Sequence, residues 1–182
     1  DLGYSDSLFQ ASIISPAFYG VIAMCATNRL AVCLMFCSFI VFATAILVIT
    51  AVMRLVYLQD MPPGLTRDEA LDADIASSIL EGHHALFFRA GFGHEPLYHY
   101  LAAPFQRAFG DNFLAVRLPS VYLGLLLVAI TMAWARREFG AATALMTGAF
   151  IAVSWWPLIF IRIGLRPILE PVLLMLALWF WF

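Results

Sequence analysis

An uncharged run of 24 residues, residues 30–53, lies between Arg29 and Arg54 and constrains the fold more than any other feature of the chain. As a helix rising 1.5 Å per residue, it is about 36 Å long, enough to cross a hydrocarbon core of about 30 Å with some tilt. A secretory signal peptide is the competing interpretation, but the run is too long for its apolar region, and no small-residue cleavage site precedes the polar stretch. The run therefore predicts a membrane-spanning helix.

The composition supports the same conclusion for the whole chain. Of its 182 residues, 63% are apolar and 12% are charged, whereas soluble domains have about 45–50% apolar and about 25% charged residues. So few charged groups exclude a soluble enzyme and a disordered segment. The net charge of −2 offers no basic surface, so we expect no nucleic-acid partner. The sequence predicts an all-α polytopic membrane protein.

Further apolar runs divide the chain. Residues 118–135 and 141–161 predict an antiparallel pair of spans, and residues 167–182 begin a fourth span. We therefore predict an N-terminal segment (1–29), a first transmembrane helix (30–58), an extracytoplasmic loop (59–117) and helices two to four (118–182). Residues 12–26 are interrupted by Pro16 and Gly20, which favours an interfacial or buried piece. Because the chain starts with Asp1 and stops in an apolar run, we interpret it as the N-terminal part of a longer protein.

The predicted loop holds most of the polar residues. A loop this long in a compact fold is usually functional. It contains all four histidines and eight of the twelve acids, which are Asp60, Asp68, Glu69, Asp72, Asp74, Glu81, Glu95 and Asp111.

Two short amphipathic helices are predicted inside the loop. Thr66 and Glu69 have the spacing of a capping box at a helix start, and Gly82 ends the apolar repeat that follows. Pro96 is typical of the first turn of a second helix, which ends at Gly110. We expect both helices to lie in the membrane interface with their apolar faces down. The apolar positions are Leu71, Ile75 and Ile79 in the first helix and Leu97, Leu101, Phe105 and Phe109 in the second.

Three charged clusters are predicted on one side of the membrane, at residues 67–69, 94–96 and 162–166. Ionisable groups at the edge of a bundle indicate function by default, but each cluster also has a structural interpretation. Asp68 and Glu69 could simply favour a helix N-terminus. The spacing of His94 and His99 fits no strong zinc motif, and histidines without a ligand are the favoured interpretation. Arg117 could be a snorkelling anchor or a structural salt bridge.

The order of these features resembles a known family. A span leads to "LTRDEA" and an amphipathic helix, and then come "GHEPLYHYLAAPFQRAFGDNFLAVRLPS", "RREFG" and "RIGLR". From about residue 30 onwards this order resembles the N-terminal part of the C-type membrane glycosyltransferases. The closest group comprises the dolichyl-phosphate-mannose–protein mannosyltransferases and the bacterial aminoarabinose transferases of lipid A.

The resemblance implies a role for particular residues. The family's first extracytoplasmic loop carries an acidic pair, which falls on Asp68 and Glu69, so these two are the expected catalytic residues, with the aspartate as the presumed base. A basic residue that meets the donor phosphate falls on His94. The expected substrate-binding residues are His94, Glu95, Arg117, Arg162 and Arg166. Two departures, Leu71 in place of an arginine and no acid until Glu170 after Arg166, argue against lipid A aminoarabinose as the substrate.

The expected protein is thus a glycosyltransferase of the bacterial cytoplasmic membrane. It would transfer a sugar, with inversion, from a polyprenyl-phosphate donor to a protein, lipid or glycan acceptor, with Asp68 as general base. The charge distribution does not decide its orientation, so the extracytoplasmic placement of the loop rests on the resemblance. No cofactor is certain, and a divalent metal stays open. The alternative is a non-enzymatic transporter or scaffold subunit.

Overall fold

The computed structural model of the chain describes residues 4–91 and 93–181, with side chains from residue 29 onwards. It divides into two compact units, Asp1–Phe42 and Ala43–Phe182. The architecture is all-helical, with 78% of the chain in helices, and in the described ranges there is no strand, although Phe88 and His94 form an isolated antiparallel bridge. The predicted all-α class is therefore confirmed.

The described residues form seven α-helices. A short 3₁₀ turn, Arg166–Ile168, precedes the last of them. In chain order the helices are α1 (Tyr4–Leu55), α2 (Arg67–Leu80), α3 (Pro96–Phe109), α4 (Phe113–Phe139), α5 (Ala141–Val153), α6 (Trp155–Arg162) and α7 (Leu169–Trp181).

Within the part of the chain that the structure describes, two helical stretches are long and apolar enough to span a membrane. They are Arg29–Leu55 within α1 and Phe113–Phe139, which is α4. The first stretch contains the apolar run 30–53 and the second contains the run 118–135, from which the first two spans were predicted. α1 is continuous through Pro16 and Gly20. The side chains of residues 12–26 lie outside the described part, so their interfacial placement stays a prediction.

The predicted third span is not one straight helix. α5 and α6 are bent by 53° at Ser154, so that together they form either a broken span or a re-entrant loop. The physical reason is Pro157, which has no backbone N–H for the carbonyl four residues earlier and clashes with it. Ser154 is correspondingly extended, with φ −64° and ψ 127°. The span predicted over residues 141–161 thus corresponds to this bent pair of helices.

A buried arginine satisfies carbonyls freed by this break. The Nη1 of Arg54, at the end of α1, donates to the carbonyl of Ala152 at 3.1 Å, and its Nη2 donates to that of Ile151 at 3.5 Å. Both carbonyls belong to the last turn of α5, whose C-terminal end carries partial negative charge. Arg54 is fully buried and thus fastens α1 to the broken helix.

The two short helices begin and end where their signals predicted. Thr66 accepts from the backbone N–H of Glu69, while Glu69 accepts from the N–H of Thr66, so the capping box is complete. α3 starts at Pro96 and is terminated by Gly110. The predicted apolar positions of α2 pack inward. On α3 the predicted apolar positions are largely exposed, and the side facing the protein is formed by Tyr98, His99, Ala102, Ala103 and Gln106.

The helices pack in the order α2 on α3 and α3 on α4, and α4 also contacts α5, α6 and α7. Glycines allow the closest approaches. Gly124 of α4 lies against Ile161, and Gly148 of α5 lies against Met132, in each case with no room for a Cβ. Small residues of this kind let helix backbones approach closely in membranes. α4 is therefore the central helix on which the ends of α2, α3 and α6 converge.

Candidate functional site

Glu69 and Arg117 form a buried ion pair beside the start of α2. The Nε of Arg117 donates to Oε1 of Glu69 at 2.8 Å, and neither side chain is exposed to solvent. The other oxygen of Glu69 accepts from the N–H of Thr66 at 2.7 Å. Both carboxylate oxygens are thus occupied by protein groups.

The remaining donors of Arg117 bind backbone carbonyls of the connection between α1 and α2. These carbonyls belong to Leu58 at 2.8 Å, Pro62 at 3.1 Å and Gly64 at 2.6 Å. With the bond to Glu69, these contacts use four of the five N–H donors of the guanidinium, so Arg117 holds the connection in place. Of the alternatives for Arg117, the structure shows the salt bridge, and it does not bring Arg117 or Glu69 to an accessible site.

Arg162 has a similar relation to the end of α1. Its guanidinium donates to the carbonyls of Met53 at 2.8 Å, Met61 at 3.2 Å and Tyr57 at 3.4 Å. Arg54 thus binds carbonyls at the end of α5, and Arg162 of α6 binds carbonyls at and just beyond the end of α1, so the two arginines connect the end of α1 with the α5–α6 pair.

An accessible cleft of about 450 Å³ lies between the start of α2, the segment before α3 and the end of α6. Asp68 and Arg67 of α2 line it and are exposed. Asp68 makes no hydrogen bond or ion pair with any residue that the structure describes. His94 and Arg166 line the same cleft, so three of the predicted site residues meet there. The cleft lining comprises Arg67, Asp68, Leu71, Asp72, Gly91, His94, Phe160, Leu165, Arg166 and Pro167.

Arg166 is held at the edge of this cleft by Glu95. Its Nη1 donates to Oε2 of Glu95 at 3.2 Å, where the Glu95 side chain is 80% exposed and that of Arg166 is 31% exposed. Exposed pairs of this kind contribute about 0–1 kcal/mol. The pair therefore orients Arg166 without preventing it from binding an anion.

At the inner wall of the cleft, Asp72 meets two histidines. Its Oδ1 lies 3.3 Å from Nδ1 of His94 and 3.8 Å from Nδ1 of His99. All three residues are buried, with 3%, 6% and 0% of their surfaces exposed in that order. Oδ1 of Asp72, Nδ1 of His94 and both ring nitrogens of His99 make no hydrogen bond of acceptable geometry to the described residues. Three polar side chains are thus buried next to one another, and four of their polar atoms have no hydrogen-bond partner among the described residues.

A tight turn brings His94 onto α2. Gly91 has φ +60°, and a Cβ there would lie 2.8 Å from the side chain of Leu71. Both the left-handed conformation and this close approach require glycine. The N–H of His94 then donates to the carbonyl of Phe88 at 2.8 Å, and the N–H of Phe88 donates to the carbonyl of His94 at 3.1 Å. The ring of His94 is thereby fixed over the helix that carries Asp72.

Burial sets the protonation of this cluster. It raises the pKa of Asp72 to about 7, an effect that Arg166 opposes and that Asp68 and Glu95 reinforce. It lowers the pKa of His99 to about 4 and also lowers that of His94, with the positive charge of Arg166 acting in the same direction on both rings. Both imidazoles are therefore neutral at pH 7, and the cluster is close to the point at which Asp72 loses its proton.

Asp72 does not stand out in the sequence as a member of any site. The available signal was its spacing from Asp68, since residues four apart lie on one face of a helix. That Asp72 would meet His94 and His99 depends on how α2 packs against α3. The structure also shows that this buried group could hold a metal ion, with all candidate ligand atoms within 4.8 Å of one another.

An apolar groove of about 680 Å³ lies next to α6, between that helix and the end of α1. Val52, Val56, Leu158 and Ile159 are among its lining, and Arg162 is its charged residue. α6 therefore contributes to both features, since Phe160 lines the polar cleft. A molecule with an anionic head and an apolar tail would fit such a combination.

Over the described residues, the fold and the site thus define an all-helical protein with two helices apolar enough to span a membrane and a polar cleft between the start of α2, the segment before α3 and the end of α6. Comparisons of the chain with protein-family models, with curated proteins and with solved structures find no match. Support for a function therefore comes from the residues of the site.

Proposed function

We propose that this chain belongs to a polytopic glycosyltransferase of the bacterial cytoplasmic membrane. It transfers a sugar from a polyprenyl-phosphate donor to a protein, lipid or glycan acceptor at the extracytoplasmic face. One observation supports this above the others. The cleft combines an unpaired carboxylate, Asp68, with two accessible arginines, Arg67 and Arg166, beside an apolar groove.

The chemistry needs one base and one anion site. An acceptor hydroxyl gives its proton to Asp68 while its oxygen bonds to the anomeric carbon of the sugar. The bond from that carbon to the phosphate oxygen breaks, and its electron pair leaves with the polyprenyl phosphate. Arg67 and Arg166 stabilise the charge that develops on the phosphate. A single displacement of this kind inverts the configuration at the sugar carbon.

The groove beside α6 accounts for the lipid part of the donor. Its lining is almost wholly apolar, so an isoprenoid chain would lose little by entering it from the bilayer. Arg162 and Arg117, which the sequence suggested as substrate ligands, instead bind backbone carbonyls and maintain the shape of the site. In the proposal they are positioning residues.

Removal of the Arg166 side chain tests the anion site. Charge-assisted hydrogen bonds contribute about 1.5–3 kcal/mol, so Arg166→Ala should weaken binding of a polyprenyl-phosphate sugar by about 10- to 100-fold. Arg107→Ala is the matched control, because Arg107 is exposed on α3 and does not line the cleft. Binding is measured by titration of the full-length protein in detergent. Equal affinity in both variants would place the phosphate elsewhere.

The orientation follows from the proposed donor and has a direct test. By the positive-inside rule, an excess of arginines on the cleft side would favour a cytoplasmic cleft. Three of these arginines, Arg54, Arg117 and Arg162, bind backbone carbonyls and so have a structural role, which weakens that argument. In a background with Cys25, Cys33 and Cys37 replaced by serine, an impermeant thiol reagent should label Asp111→Cys in intact cells but not Glu138→Cys. Asp111 precedes α4 and Glu138 lies in its last turn, so most of a helix about 40 Å long separates them. Labelling at position 138 alone would contradict the orientation.

A transporter is the second candidate, and the bent α5–α6 pair favours it, since transporters often use broken helices. A charged residue, Arg54, lies at this break, but its guanidinium binds the backbone carbonyls of Ile151 and Ala152 and in this way supports the structure of the break. Transfer of label from a polyprenyl-phosphate sugar to an acceptor in membranes separates the two functions. Uptake of a solute without any such transfer would favour the transporter.

A further inference from the structure

We propose that Asp72, His94 and His99 bind one Zn²⁺ ion, with a fourth coordination position open to the cleft. This inference concerns metal binding alone and does not depend on the proposed sugar transfer. It rests on the positions of three buried side chains that belong to three successive parts of the chain, namely α2, the turn before α3 and the first turn of α3.

Two of the three distances between ligand atoms are close to those around a tetrahedral ion, and the candidate atoms of His94 and His99 lie within 4.8 Å of each other. Bonds of about 2.0–2.1 Å place the ligand atoms of such an ion about 3.3–3.4 Å apart. The separation of 3.3 Å between Oδ1 of Asp72 and Nδ1 of His94 fits this value, and the 3.8 Å separation to Nδ1 of His99 needs an adjustment of a few tenths of an ångström. Ordinary side-chain rotation is enough for that.

Burial supplies the second argument. An unpaired polar group that is removed from water costs about 1–3 kcal/mol, and four such atoms lie together here. One cation would bind three of them, the Oδ1 of Asp72 and the Nδ1 atoms of both histidines, and would leave the proton of His99 on Nε2. The ion would also favour the deprotonated form of Asp72, as metal binding requires.

The ligand types select the metal. Two imidazoles and one carboxylate suit Zn²⁺, whereas Mg²⁺ and Ca²⁺ prefer oxygen ligands throughout. Three protein ligands also leave a position free, which is typical of catalytic zinc sites and not of structural ones. Asp72 and His94 line the cleft and His99 lies behind them. The open position therefore faces Arg67 and Arg166, where water or a phosphate oxygen would complete the coordination.

Metal content and metal affinity of the full-length protein in detergent test the site. After dialysis against a chelator and titration with Zn²⁺, we expect about one ion per chain, and Co²⁺ in its place should show the absorption of a tetrahedral site. Mg²⁺ should not compete. Asp72→Asn, which keeps the shape of the side chain, and His94→Gln should each weaken Zn²⁺ binding by more than about 100-fold, beyond the effect of losing an outer-shell partner.

The exposed histidines provide the control. His83→Gln together with His84→Gln removes two imidazoles of the same segment that lie outside the cluster, and Zn²⁺ affinity should be unchanged. Zn²⁺ should also raise the melting temperature of the wild type and the control but not that of Asp72→Asn. A wild-type protein without a stoichiometric Zn²⁺ site, or one lost with His83 and His84 instead, would overturn the inference.

Discussion

Replacing Asp68 with asparagine is expected to lower the rate of sugar transfer by about 10²- to 10⁴-fold, the usual contribution of a general base. Asp68 is the second residue of α2, it is exposed in the cleft, and it makes no hydrogen bond or ion pair with the described residues. The positive end of the helix dipole favours a negative charge at this position. Asparagine keeps the size and the capping ability of the side chain but cannot accept a proton.

Asp74→Asn is the matched control for this variant. Asp74 is also an exposed aspartate of α2, but it lines a different cavity, next to Gln106 and Asp111. Transfer is measured with the full-length protein in membranes and normalised to folded protein. A rate above about a third of the wild-type value in Asp68→Asn would exclude a general base, whose loss costs far more, and a similar loss in Asp74→Asn would point to a change of fold.

The second large effect is expected in stability. Glu69→Gln should reduce the free energy of unfolding by about 3–5 kcal/mol, because it leaves the buried charge of Arg117 without its counter-ion. Glutamine can still accept from the N–H of Thr66, so the capping box is largely retained. Loss of a cap alone would cost about 1 kcal/mol, and the burial of the ion pair is the reason for the larger value.

Two further variants separate the cap from the ion pair. Thr66→Ala removes the hydroxyl that accepts from Glu69 and should cost about 1 kcal/mol. Replacing both charges, with Glu69→Gln and Arg117→Met together, should not restore stability, since the carbonyls of Leu58, Pro62 and Gly64 then lose their donors.

Unfolding in detergent, followed by circular dichroism, gives the order of these losses. The remaining folded fraction of Glu69→Gln should transfer sugar at close to the wild-type rate, because Glu69 does not reach the cleft. If Glu69→Gln were no less stable than Thr66→Ala, the buried pair would contribute nothing beyond the cap. A folded but inactive Glu69→Gln would return Glu69 to the catalytic residues.

Much of the local structure could be predicted because its causes are local. The capping box needs only Thr66 and Glu69, three residues apart, and α3 is bounded by Pro96 and Gly110. The apolar runs in α1 and α4 are long enough to span a membrane whatever packs beside them. The break at Ser154 could be predicted in part, because a proline such as Pro157 disrupts a helix. How much stability the break costs depends on whether Arg54 is near enough to bind the freed carbonyls.

The roles of the charged residues could not be predicted in the same way. Arg117, Arg162 and Arg166 look alike in the sequence. Arg117 binds carbonyls 53–59 residues away and Arg162 binds carbonyls 101–109 residues away. Of the three, only Arg166 lines the cleft, where it forms an exposed ion pair with Glu95. An arginine becomes structural or available according to which acceptors surround it, and that is decided by helix packing. The acids of α2 differ for the same reason, with Glu69 buried and Asp68 exposed.

The sequence by itself determined the helical class, the two apolar stretches and the ends of the short helices, since these depend on hydrophobicity and on backbone preferences within a few residues. Only the tertiary structure decided that Asp72 lies against His94 and His99, and that Asp68 shares a cleft with Arg166. Such contacts join residues that are far apart in the chain, and they form because α2 packs on α3 and α3 on α4. Spacing along the chain carries no information about them until that packing is known.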